Sequence, residues 1–258
     1  MGDRALTIER VGRVARLTLN RPTRLNALSS DLVQLLRVSL AEIGGDREVG
    51  AVILAGEGRA FCAGADLSEL AGHGPVEFGR YIRELEGLCR QLEQIPQPTI
   101  AAVHGVAFGG GCELALACDA RVAERPARFG LPEIKLGLLP GAGGIQRAAR
   151  LLPLGVVRKL VLTGDPLSAS EAELHGLADV VDEGGVAHAA LALATRLAAG
   201  APLAQAAAKR LLLRGPGLDL ESAVELEQGN VVELFASNDR EEGIRAFLAK
   251  REPGFSGS

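Results

Sequence analysis

Thr99-Ile-Ala-Ala-Val103 and, a few residues on, Phe108-Gly-Gly-Gly-Cys-Glu-Leu-Ala-Leu-Ala117 set an apolar run, a glycine-rich turn and an apolar helix candidate in direct succession. The first run is short and unbroken, as expected of a strand buried on both faces, and the helix candidate spans Glu113 to Cys118. Outward from this unit the pattern recurs. Ala51-Val-Ile-Leu-Ala55 reads as another buried strand. Residues 13–19 alternate, with Ala15, Leu17 and Leu19 on one face and Arg16 and Thr18 on the other, which predicts a half-buried strand. Between these strands, Asp31 to Ile43 places Leu32, Leu35, Leu36, Leu40 and Ile43 at helical spacing behind the cap candidates Ser29 and Ser30. Further on, residues 155–162 look helical, and Ser168 with Glu171 has the spacing of a capping box for a helix ending near Gly176. Asp179-Val-Val-Asp182 returns to strand. Alternating strands and helices make the chain α/β.

Beyond about residue 186 the strand signal stops. Pro202 suits a first helical turn, Asp219 precedes a helical run, and Asp239 with Glu242 is read as another capping pair. The chain is therefore divided into a core over 1–195 and a helical C-terminal region over 196–258, which packs either on its own core or on a neighbouring subunit.

Lys and Arg total 28 against 32 Asp and Glu, a net charge of -4, so no global positive field favours nucleic acid or an anionic membrane. An anionic ligand must be met by local cations or backbone amides. Charged residues appear at once in the opening MGDRALTIER, which argues against a targeting presequence, and no run approaches a membrane span. Gly2 is not read as a myristoylation site, because Leu6 stands where a Ser or Thr is needed. Cys62, Cys89, Cys112 and Cys118 lack metal or redox spacing and read as reduced core residues of a cytoplasmic protein.

Glycines that run straight into a helix let a ligand approach backbone amides left unpaired beside the positive end of the helix dipole. That arrangement suits a developing oxyanion. A lone glycine run is more often a tight crossover; here Glu113, a carboxylate on a helix that should be buried, shifts the reading towards chemistry. A second glycine-rich element is Phe61-Cys-Ala-Gly-Ala-Asp66, where Asp66 suits an N-cap for Leu67-Ser-Glu-Leu70. A third, Phe129-Gly-Leu-Pro-Glu-Ile-Lys-Leu-Gly137, carries Glu133 just after a proline, a place where acids are usually solvated, and leads to Pro140-Gly-Ala-Gly-Gly144. No dinucleotide or P-loop fingerprint is present, and neither the four histidines nor the acidic residues are grouped as metal ligands.

Together, FCAGADLSEL, TIAAVHGVAFGGGCELALACD, FGLPEIKLGLLPGAGGIQR and the ending DREEGIRAFLAKREPGF resemble the crotonase superfamily, in this order and over nearly the whole chain, and NRPTRLNALS is similar to that family's opening signature. The resemblance implies a spiral of ββα units with a helical C-terminal region, and trimers that pair into hexamers. It also implies an acyl-CoA thioester substrate, with no metal and no cofactor beyond the coenzyme A of the substrate itself. By position, the amides of Ala65 and Gly110 would form the oxyanion hole. The backbone around Ala63, Asp66 and Leu67 would line the CoA path, and Glu113 and Glu133 would be the acid/base pair of an enoyl-CoA hydratase acting in fatty acid metabolism.

Such a pair can take a proton from water at the β-carbon and return one to the α-carbon, with Glu113 as base and Glu133 as proton donor by analogy. The pattern departs from the family at Ser68 and Thr23, where relatives often carry basic residues. Arg24 and Lys250 are the substitutes expected at the CoA phosphates, Lys250 from the last helix towards a neighbouring subunit. The rival chemistry is a Δ3,Δ2-enoyl-CoA isomerase or another acyl-CoA lyase. The rival class is a non-catalytic scaffold or RNA-binding relative, disfavoured by the acidic balance. Acyl chain length is not legible in the segment from Ala71 to Gln91 that should cover the acyl pocket.

Overall fold

A computed structural model of the chain describes residues 4–182 and 185–258; the reading of Gly2 lies outside them. The strands are β1 (Leu6–Val11), β2 (Val14–Leu19), β3 (Ala51–Gly56), β4 (Thr99–Val103), β5 (Val106–Phe108), β6 (Ala120–Glu124), β7 (Arg128–Gly130), β8 (Leu167–Ser168) and β9 (Val180–Asp182). They form a six-stranded sheet in the order β1-β2-β3-β4-β6-β9 and a three-stranded sheet in the order β5-β7-β8. Within the larger sheet only β1 and β2 are antiparallel; β2 to β9 run parallel. The first four strands lie in the larger sheet, and from β4 onward the chain passes back and forth between the two. The chain leaves β4 for β5 and then a helix, and leaves β6 for β7 and then further helices, so these two turns of the spiral are ββα units.

The helices of the first half are α1 (Ser30–Gly45), α2 (Leu67–Leu70), α3 (Pro75–Gln94) and α4 (Gly110–Ala117). They are followed by α5 (Gly144–Leu151), α6 (Leu154–Thr163), α7 (Ala169–Leu174), α8 (Val186–Ala198), α9 (Pro202–Arg214), α10 (Leu220–Phe235) and α11 (Asn238–Leu248). Local signals place several starts. Ser29 accepts from the Leu32 amide at the head of α1, and Ser168 forms the expected capping box with Glu171. Pro202 opens α9 and Asp219 caps α10. On α1, Leu32, Val33, Leu36, Leu40 and Ile43 are buried, whereas Leu35 faces outward.

Three expectations are corrected. Strand β2 is not half-buried: Thr18 is only 6% exposed, because α8 lies across β2, β3, β4 and β6 on that face. Val14, Ile53, Ile100 and Val122 pack there against Ala190, Ala194 and Ala198, a second core behind the main one. Small residues on α8 let the helix lie close to the sheet. Next, Asp239 and Glu242 do not cap α11. Ser237 does, accepting from the Arg240 amide, while Asp239 accepts from the amides of Ser256 and Gly257 and Glu242 pairs with Arg245 and Arg251. Finally, Lys250 is not on the last helix, which stops at Leu248 and leaves Lys250 in the left-handed region.

The alternatives for the helical tail divide between its members. Helix α8, inside which residues 195 and 196 fall, belongs to the core. Helix α9 is tied to the core by Lys209, which donates to the carbonyls of Leu92 and Gln97 and pairs with Asp119 at 2.6 Å. Helices α10 and α11 bury few side chains.

Candidate active site

The glycine turn of the opening motif joins β5 to α4, which begins at Gly110, three residues ahead of the expected start. Gly109 takes φ 51 and ψ -125, a conformation L side chains avoid, and a Cβ on it would stand 3.1 Å from Glu133 Oε1. Its glycine is therefore needed twice, for the turn and for the carboxyl above it. Gly110, the first residue of α4, is buried, and its amide has no partner within the helix.

The segment Phe61–Ala65 runs alongside β5. Phe108 N donates to Cys62 O, and Cys62 N to Val106 O. Leu28 grips the far end of this segment: its amide donates to Gly64 O at 2.8 Å and its carbonyl accepts from Asp66 N at 3.1 Å. Because peptide groups alternate direction along an extended chain, bonds to the residues on either side of Ala65 turn the Ala65 amide away from Leu28. It turns towards α4, where a Cβ on Gly110 would lie 3.8 Å from the Ala65 nitrogen. Two amides from different turns of the spiral thus stand side by side.

One helical turn beyond Gly110, Glu113 is 2% exposed. Its Oε1 accepts from the amides of Ala142 and Gly144, each at 2.8 Å. Any side chain at Gly144 would collide with this carboxyl, since a Cβ there would sit 2.9 Å from Oε1. Burial pushes the Glu113 carboxyl above its ordinary range, opposed by the two amides and by the charge of Arg147. Behind it Arg147 holds Glu93 through two parallel bonds of 2.7 and 2.8 Å.

Glu133 occupies the first turn of a 3-10 helix, Pro132–Leu136. It is half-buried, more than is usual for an acid after a proline. Burial pushes its carboxyl up to about 7; its own backbone amide opposes the shift, and the neighbouring Glu113 charge adds to it. Its Oε2 is buried without a partner. A desolvated carboxyl with a free oxygen and a shifted pKa is a candidate for proton transfer.

Both glutamates open into one cleft of about 160 Å³, also lined by Ala63, Ala65, Leu67 and Gly110. Its apolar wall comes from Phe78, Tyr81, Ile82 and Leu85 on α3, facing Leu138 and Leu139. The segment 71–91 thus does cover the pocket. Asp66 stands behind the lining, capping α2 and pairing with Arg21 at 2.8 Å. Arg24 is exposed one residue before Leu25, whose carbonyl receives the Ala63 amide at 3.0 Å, so it flanks the cleft rather than entering it. Lys250 is not part of the cleft. Sequence reasoning missed Tyr81, Arg147 and the amides of Ala142 and Gly144. The run Pro140-Gly-Ala-Gly-Gly144 was visible, but nothing local tied it to Glu113. Among the described residues no group of three or more His, Cys, Asp or Glu is arranged to hold a metal, and the four cysteines are buried and free.

The sequence profile of the enoyl-CoA hydratase/isomerase family matches residues 9–258. The chain belongs to the enoyl-CoA hydratase/isomerase family. Within that family it is 39% identical to the short-chain-enoyl-CoA hydratase of Clostridium acetobutylicum, covering 95% of each chain. It is 42% identical to the 2,3-dehydroadipyl-CoA hydratase of Escherichia coli, covering 98% of each. Among solved structures, the enoyl-CoA hydratase of Bacillus anthracis superimposes with a TM-score of 0.96 at 36% identity, over 99% of this chain and 100% of that one. The crotonase fold expected from the motifs is the fold observed.

Proposed function

We infer that this protein is a hydro-lyase that adds water across the 2,3 double bond of a 2-enoyl-CoA, giving the 3-hydroxyacyl-CoA. The observation that carries the reading is the meeting of two desolvated carboxyls and two unpaired amides in one apolar cleft. The thioester oxygen is received by the amides of Ala65 and Gly110. As water attacks the β-carbon, Glu113 takes its proton and negative charge collects on the thioester oxygen. When the enolate collapses, Glu133 delivers a proton to the α-carbon. Proton exchange between the glutamates resets the pair; atoms and charge balance without redox change, so no cofactor is required.

The fixed amides and the positioned carboxyls each supply part of the acceleration, roughly 10² to 10³ per oxyanion donor and roughly 10² to 10⁴ for acid/base transfer. The lining supports a short, uncharged acyl group: the cleft is small and no Lys or Arg lines it to meet a distal carboxylate. Arg24 is proposed at the CoA phosphates. Lys250 is proposed to reach the CoA of a neighbouring subunit in a homotrimer or a hexamer of paired trimers. Among the described residues no single helix is long and apolar enough to cross a membrane, and a cytoplasmic setting is proposed.

The test is loss of enoyl absorbance on incubation with crotonyl-CoA. Glu113→Gln and Glu133→Gln should each lower hydration by about 10² to 10⁴ while keeping size and fold. An isomerase needs only one shuttling carboxyl. If the wild-type protein isomerises a 3-enoyl-CoA far faster than it hydrates crotonyl-CoA, and Glu113→Gln leaves that rate intact, the hydratase reading fails.

A further inference from the structure

Resting on the hydratase reading above, we propose that Tyr81 is a positioning residue for the oxyanion hole, holding the Ala65 amide in its working direction through the carbonyl of Leu28. Tyr81 is the chain's single tyrosine. It lies on the cleft side of α3, is 3% exposed, and its hydroxyl donates to Leu28 O at 2.8 Å. The same carbonyl accepts from Asp66 N, and the Leu28 amide donates to Gly64 O. Leu28 therefore clamps the residues before and after Ala65, and Tyr81 clamps Leu28. Leu28 itself is fully buried and its side chain presses on the Gly110 position, 3.1 Å from a Cβ built there. One residue is thus coupled to both donors of the hole.

The chemistry of the phenol suits this task and not proton transfer. Burial pushes its pKa well above the ordinary value, with the Cys62, Glu69 and Glu113 charges adding to the effect, so it remains a donor throughout the working pH range. Its one proton is committed to Leu28. An oxyanion donor acts by being fixed in advance where charge will develop. A tether that prevents the 64–66 segment from rotating stabilises the transition state more than the bound substrate, and it should therefore appear in kcat rather than in KM.

The experiment compares wild type with Tyr81→Phe, which keeps the ring in the pocket and removes only the hydroxyl. Two readouts are used: steady-state hydration of crotonyl-CoA, and the absorption of bound 2,4-hexadienoyl-CoA, read in a Glu113→Gln background that halts turnover. Polarisation of the thioester carbonyl by the hole moves the dienoyl band to the red. Loss of one hydrogen bond should lower kcat about 3- to 10-fold with KM changed less than about 2-fold. The red shift should shrink in parallel. Unchanged kcat and an unchanged red shift in folded Tyr81→Phe would overturn the proposal. A red shift absent already with tyrosine in place removes the oxyanion reading and this inference with it, whereas a wild-type shift that survives Tyr81→Phe removes this inference alone. Should Tyr81→Phe fail to fold, biosynthetic ring fluorination labels position 81 alone, since no other tyrosine is present. Stronger phenol donors across a fluorotyrosine series should raise kcat in order of donor strength, and a flat or inverted series would overturn the proposal.

Discussion

Two carboxyls share the cleft, and burial raises both, but their oxygens are partnered differently. Glu113 presents an oxygen to two amides, which oppose the rise that burial imposes on its carboxyl. Glu133 keeps a buried oxygen without a donor and is the one to hold a proton near neutrality. A carboxyl raised from 4.5 to about 7 in the fold stabilises it fully below pH 4.5, and that contribution is lost as pH rises through about 7. Glutamine mimics the protonated form at every pH. The Tm of wild type relative to Glu133→Gln should therefore fall between pH 4.5 and about 7 and level off above it. A difference that stays constant across this window would show that Glu133 is an ordinary solvated acid.

Helices contribute by their ends. The start of α4 supplies the Gly110 amide, and the start of α5, with Ala142 just before it, supplies the donors that hold Glu113. The first turn of a helix leaves its amides unsatisfied, so each becomes a preformed site for negative charge. Elsewhere the same vacancies are met by side chains. At α7, Ser168 accepts from Glu171 N, and the Glu171 carboxylate accepts from the Ser168 amide and hydroxyl. Ser168→Ala should cost about 1 kcal/mol in denaturant unfolding and leave kcat and KM for hydration unchanged, since neither capping residue lines the cleft. A stability loss below about 0.3 kcal/mol would mean that water replaces the cap at no cost.

On the scale of the whole molecule, the two cores differ from the outer helices. The sheet is sealed on one face by α1, α3 and α4 and on the other by α8, whereas α10 and α11 carry large apolar side chains into the open: Leu220 is 81% exposed and Phe247 83%. Val232, Phe235 and Leu248 add to this surface. Apolar exposure on that scale is what a subunit interface would cover, in keeping with the assembly proposed above. Light scattering should find a trimer or hexamer, and Phe247→Glu combined with Leu248→Glu should move the mass towards the 26.8 kDa chain. A wild-type monomer that hydrates at full rate would remove both the interface and any role for Lys250 across it.

Local chemistry was legible in the amino-acid order alone. Ser29, Ser168, Pro202 and Asp219 marked helix starts because a cap acts within three residues of itself, and the apolar runs at 51–55 and 99–103 marked strands because burial on both faces needs no alternation. The glycine run with Glu113, and the motifs around Glu133, pointed to two carboxyls that the fold brings into one cleft. The cap of α11 was misassigned because Ser237 and Asp239 both satisfy the local pattern, and only the distant amides of Ser256 and Gly257 decide which is free to serve. Alternation places Thr18 on a polar face, yet it is buried, because α8, far away in sequence, packs on that face of the sheet. The same holds at the cleft. Leu28 reaches Ala65, Tyr81 reaches Leu28, and Gly144 reaches Glu113 across separations of 31 to 53 residues where the bonds are direct. Alternation, caps and turns are set by neighbours in sequence, while desolvation and hydrogen-bond partners are set by whatever the folded chain brings within a few ångströms.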